Sequence, residues 1–262
     1  MKKIIAFLLV LVMMLSIAAC APTTTENPGT SSSTPASTPD SNPTGVMTHA
    51  QYLAAANNDP IEIEVYVQAT QSWWDNKIVV YAMDKSFNGY IAYNLSCTND
   101  EAAKLVPGTK INIKGFKTFY KGMPEVAEGA TFTVVEGADP FVAPAEVMTN
   151  LLGKQELLNR CGAYGAFQGL TVKAINFKNG EPGDDIYVDF TLGDATYSFC
   201  VERYLTDPES DVYKAFVEED IKVGDVVNVY GFVYWYDADV EPGVASENPA
   251  GINTHITKIT KG

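Results

Sequence analysis

Few residues in this chain could do covalent chemistry. His49 and His255 are the only histidines, so any Ser-His-Asp or Cys-His arrangement must use one of them. Neither stands beside a nucleophile signature such as G-x-S-x-G. Zinc needs Cys and His at short spacing, but the cysteines are scattered at 20, 97, 161 and 200. Asp184-Asp185 and Asp237-Asp239-Glu241 lie on loops rich in glycine and proline, and loops of clustered carboxylates suit a hard cation such as calcium. The second set lacks the D-x-D-x-D-G spacing with its distant Glu, so a solvated acidic loop is the expectation. No metal, no cofactor and no catalytic group is expected, which makes the chain a binding protein rather than an enzyme. Aromatic rings are the stronger signal. Trp73-Trp74 sit together in TQSWWDNK, and Tyr81, Tyr90, Tyr93, Phe119 and Tyr120 follow at intervals. Rings of this kind stack on the flat faces of sugars and bases.

The elements that must position these rings come next. VMTH at 46–49 is echoed by VMTN at 147–150, and VPGTKINIKGFKTFY at 106–120 by KVGDVVNVYGFVYWY at 222–236. The matches keep their order, at offsets of 101 and 116, so the chain carries a duplicated unit. GADPFVAPAE at 137–146 supplies the boundary. In the first copy, Thr48 with Gln51 forms a capping box for a short helix. Strands follow at 61–69, 77–84 and 89–96, the last two joined by a turn at Asn88-Gly89. Thr98 with Glu101 caps a second helix, then come the long strand TKINIKGFKTFY, a turn at KGMPE and a last strand ATFTVVEG. The second copy places strands at 164–176, 186–193, 196–205, 225–236 and 252–260, with a short helix opened by Pro208 and capped from Thr206 or Asp207.

This layout resembles the OB fold: five strands with a helix between the third and fourth, in about 100 residues, and glycines inside strands (Gly115, Gly231) where a barrel bends to close. The fold class is thus all-β with short helices, as two tandem five-stranded OB-fold-like barrels at 47–137 and 147–262. An immunoglobulin-like sandwich would need about seven strands per copy and has no place for the helix.

The N-terminus resembles that of bacterial lipoproteins. Lys2 and Lys3 precede the apolar run Ile4–Leu15, which is short for a membrane span, and LSIAAC at 15–20 matches a lipobox. The resemblance implies that residues 1–19 are removed, that Cys20 carries lipid, and that the protein is anchored on the extracytoplasmic face of the cell membrane. Each buried methylene of the acyl chains contributes on the order of 0.8 kcal/mol to anchoring. Residues 20–46, rich in Ser, Thr and Pro, have nothing to bury and read as an extended tether. Three cysteines then remain. Cys161 and Cys200 share the second copy and could pair, but buried free thiols are the expectation, because the strands that carry them are not neighbours in the barrel order.

OB barrels bind ligands on the face of their second and third strands, rimmed by the loops between strands one and two and between strands four and five. The resemblance therefore implies a ligand site in copy one built from Trp73, Trp74, Tyr81, Tyr93 and Tyr120. Adjacent strand residues face opposite sides, so one tryptophan at least is exposed; the other reading is that one plugs the barrel end and the tyrosines cover its outside. A net charge of -14 becomes more acidic once the leader's lysines are lost, with 16 basic against 32 acidic groups. That balance sets nucleic acid aside, and an exported location favours an oligosaccharide or a protein partner. Lys77, Lys85, Lys114, Lys117 and Lys121 cluster in copy one and keep a single-strand nucleic-acid module as an alternative, and some hydrolases are also built on an OB core.

Overall fold

The computed structural model describes residues 45–262. The leader, Cys20 and nearly all of the tether lie outside the described residues. The first barrel opens with α1 (His49–Ala54), then β1 (Pro60–Thr70), β2 (Lys77–Met83), β3 (Gly89–Ser96), α2 (Asn99–Ala102), β4 (Lys110–Tyr120), β5 (Met123–Val126) and β6 (Thr131–Val134). The second contains β7 (Glu146–Val147), β8 (Tyr164–Phe177), β9 (Ile186–Leu192), β10 (Ala195–Val201), α3 (Arg203–Thr206), α4 (Asp211–Val217), β11 (Val226–Phe232) and β12 (His255–Lys261), with short 3-10 turns at Thr149–Leu151, Gln155–Arg160 and Pro249–Gly251.

Both capping boxes form. In each, the Thr hydroxyl accepts from the backbone N–H three residues on, and the Gln51 or Glu101 side chain accepts from the Thr backbone N–H. In the first sheet, β1 pairs with β2 and β4, β2 with β3, and β4 with β5; β5 meets β3 in parallel and closes the ring. The second sheet repeats the arrangement, with β8 paired to β9 and β11, β9 to β10, β11 to β12, and β12 parallel to β10. Two five-stranded OB-like barrels are the result. Gly231 lies where β11 crosses β12, and a Cβ there would stand 2.2 Å from the His255 carbonyl oxygen. Only a residue without a side chain allows that approach.

Three details differ from the sequence reading. KGMPE is no simple turn: Lys121 and Gly122 make the turn, and Met123–Val126 is the closing strand β5. It is four residues long and carries a proline, so it offers no alternation to read. In the second copy the long segments are interrupted. Strand pairing in 196–205 stops at Val201, and 203–206 turns helical behind a Glu202 cap. The next helix is capped by Ser210, with Pro208 and the positive-φ Asp207 between the two. Strand β11 likewise ends at Phe232, and β12 begins only at His255.

Each barrel has its own filling. Tyr52, Ile63, Val65, Val67, Val80, Leu95, Ile111 and Ile113 fill the first. Phe167, Phe190, Phe199, Val229, Trp235 and Ile256 fill the second. The second cluster does not stop at its own barrel. Val79, Tyr81, Met83 and Ile91 from the outer face of β2 and β3, and Met123 from β5, are buried in it. The barrels therefore share an apolar seam. Gly89 and Gly162 press together there, a Cβ on Gly89 meeting the Ala163 nitrogen at 1.9 Å.

Candidate functional site

The seam covers part of the face on which the sequence places a ligand. Both rim loops of the first barrel bond to the second. Ser72 N–H donates to the Tyr204 carbonyl at 2.9 Å. On the other rim, Asp237 N–H donates to the Lys121 carbonyl and Ser246 N–H to the Gly122 carbonyl, each at 2.9 Å. The acidic loop after Asp237 is thus a clasp. The Asp237 carboxylate is itself buried and accepts from Ser246 Oγ at 2.7 Å. Among the described residues no group of three or more His, Cys, Asp or Glu is placed to hold a metal ion.

Tyr81 is the expected site residue that this geometry overturns. It points outward from β2 as predicted, but the second barrel covers it completely. Gln71 donates to its oxygen at 3.2 Å, and the Tyr81 hydroxyl lies 2.7 Å from His255 Nδ1. Burial holds the His255 ring neutral, its pKa lowered to about 3, so the Tyr81–His255 contact is a hydrogen bond between uncharged groups. Tyr234 stacks on the face of that ring, 3.9 Å between centroids. Both histidines are packing residues; His49 lies edge-on to Tyr90 at 5.1 Å.

The other expected rings stay in reach of solvent. Trp74 is 70% exposed and Trp73 37%, and the Trp73 indole donates to the Cys97 carbonyl at 3.0 Å. One tryptophan is therefore fastened to the barrel while its neighbour stands free. Tyr93 and Tyr120 are exposed as well. Trp73, Trp74, Lys77, Tyr93 and Asn94 line a groove of about 450 Å³. Its far wall is Tyr204, a residue of the second barrel that the sequence reading did not single out. Nothing in the local sequence marks it, because it is a helical residue brought in by the Ser72 contact. A second hollow of about 480 Å³ shares Lys77 and Asn94 and adds Asp75, Asn76, Ser96, Thr98, Glu101 and Glu128.

The lysine cluster is rearranged by the fold. Lys77 pairs with Glu128 at 2.7 Å and lies 5.6 Å from the Trp74 ring. Lys114 pairs with Glu62, and Lys85 sits over Tyr66. Lys117 is no surface cation at all. It is wholly buried, donates to the Tyr52 carbonyl at 3.1 Å, and lies 3.5 Å from the centre of that ring. Burial pulls its ammonium down to about 7. A hint was present in the sequence: strict alternation along β4 puts Lys117 on the same side as Ile111 and Ile113. Nearby on β5, Glu125 is buried with its Oε2 unpartnered, and burial raises its carboxyl to about 8. Cys97, Cys161 and Cys200 are free and buried, so Cys161 and Cys200 do not pair.

Neither a family model nor a curated protein sequence matches the chain. Solved structures do show similarity. A murine DNA-binding protein bound to double-stranded DNA is 14% identical, with 77% of this chain and 97% of that one covered, at a TM-score of 0.35. The p202 HIN1 domain in complex with a 12-mer double-stranded DNA is 13% identical over 76% of this chain and 94% of that one, at 0.34. The tetrameric p202 HIN2 is 8% identical over 78% and 98%, at 0.33. Two of these three are seen on DNA. The exclusion of nucleic acid drawn from the net charge is withdrawn, because Lys121 and Arg203 stand without an ion pair among the described residues despite the excess of acids. Bulk charge is a poor guide here because its acids are spread over the chain, whereas a ligand meets one face.

Proposed function

We propose that this protein is a membrane-tethered, non-enzymatic binding module whose exposed aromatic groove takes single-stranded nucleic acid. The observation that carries the proposal is Trp74, a large ring left 70% exposed beside a lysine at the mouth of a formed groove. Stacking of a base on an aromatic side chain contributes roughly 1–3 kcal/mol and tolerates any base. The tether and the anchor rest on the sequence from Lys2 to Gly45. The test is anisotropy of a labelled oligothymidylate with the full-length protein at low salt. Trp74→Ala is expected to weaken binding roughly 5- to 150-fold at unchanged thermal stability. Wild-type protein that leaves the oligonucleotide free rules the function out.

A second reading has its own observation. The hollow beside Trp74 offers Asp75, Asn76, Asn94, Ser96 and Glu101, a set of amides, hydroxyls and carboxylates that matches sugar hydroxyls. An oligosaccharide would stack on Trp74 and bond there. A glycan array with wild type and Trp74→Ala tests it: capture lost in the variant supports it, and no capture removes it.

A further inference from the structure

We propose that the nucleic-acid site is shared by the two barrels: Tyr204 and Tyr236, with Arg203 and Lys121, extend the Trp73–Trp74 groove along the seam and fit it to a strand that spans both ends. The inference rests on the function proposed above and adds where the ligand runs and how long it must be.

The first end is the groove itself, whose outer wall is Tyr204 of the second barrel. The second end is the rim at Tyr120, where that ring and Tyr236 of the second barrel meet edge to face at 6.4 Å, both exposed. Tyr93, itself exposed, lines the groove at the first end. Tyr234, two residues before Tyr236, stacks on the buried His255 ring in the seam. At each end the rings come from both barrels.

Charge follows the same line. Lys77 lies over Trp74, Arg203 lies 5.3 Å from the Tyr204 ring, and Lys121 lies 5.9 Å from the Tyr236 ring. Arg203 and Lys121 hold only backbone carbonyls, those of Gly183 and Ala238, and neither is in an ion pair among the described residues. They can turn to phosphate without breaking a salt bridge. Of the buried carboxyls on this side, Glu125 is neutral below about pH 8, and the Asp237 carboxylate is turned inward onto Ser246 Oγ. A ring paired with a cation at intervals is the pattern that single strands use, base on ring and phosphate on cation. A short neutral ligand would need only one end.

The experiment compares labelled oligothymidylates of about 12 and about 4 nucleotides on full-length wild type, Trp74→Ala, Tyr204→Ala, Tyr236→Ala and the double variant Lys121→Gln with Arg203→Gln, with thermal midpoints recorded for each. Tyr236→Ala is expected to weaken the 12-mer at least about fivefold and to leave the 4-mer within about twofold. The double charge variant should reduce the slope of log K against log salt by about 1.4, or 0.7 for each lost phosphate contact, which holds even if an alanine variant were to lose its fold. If Trp74→Ala abolishes binding while the second-barrel variants and the salt slope stay at wild-type values, the site is confined to one barrel and the inference falls alone. If the wild type binds neither oligonucleotide, or binds an oligosaccharide instead, the proposed function falls and the inference with it.

Discussion

Glu125→Gln should stabilise the protein by an amount that grows with pH. The Glu125 side chain is 4% exposed, Oε2 has no partner, and burial raises the carboxyl from 4.5 to about 8. A raised carboxyl favours folding while it is protonated. That contribution is full below pH 4.5 and is lost as pH rises toward 8, because the unfolded chain releases the proton first. Glutamine keeps the shape of the protonated acid and does not titrate. At 1.36 kcal/mol per pKa unit, the variant gains about 0.8 kcal/mol at pH 5 and about 3 kcal/mol at pH 7. Urea unfolding of both proteins at pH 5, 6 and 7, at constant ionic strength, measures the difference; all other titrating groups are common to the pair and cancel. A gap that is the same at pH 5 and pH 7 would refute the assignment, and so would a variant less stable than wild type at pH 7.

Lys117→Met acts with the opposite pH sense. The buried amine is lowered from 10.5 to about 7, so its penalty is full below pH 7 and fades as pH rises toward 10.5; the variant's gain in unfolding free energy should be about 3 kcal/mol larger at pH 7 than at pH 9.5. Tyr81→Phe leaves His255 Nδ1 unpartnered in the seam and is expected to cost about 1–3 kcal/mol in denaturant unfolding, with oligothymidylate affinity unchanged because Tyr81 meets no solvent. Gly89→Ala drives a methyl into the Gly162–Ala163 backbone and should lower stability by roughly 3 kcal/mol or more, read as a fall in the thermal midpoint.

Local signals were enough for much of this molecule. Thr48/Gln51 and Thr98/Glu101 announce their helices because a capping box is closed within four residues. The alternating strands and the duplicated Gly115 and Gly231 point to two barrels because a bend at a crossing demands a residue without a side chain. Trp73-Trp74 had to leave one ring outside because neighbours on an extended chain face opposite ways. Alternation, however, separates inside from outside and is silent on what covers the outside. Tyr81 and Tyr93 lie on outward positions of adjacent strands, yet the second barrel buries the first and spares the second. Only packing at the seam decides that, through contacts between residues more than a hundred positions apart. The same contact brings Tyr204 to the groove and Tyr236 to Tyr120, and turns Asp237 from an acidic loop residue into part of a clasp. Composition sets the total charge, but the fold chooses which cations lose their partners to the interior and which, like Arg203 and Lys121, remain at the surface beside a ring.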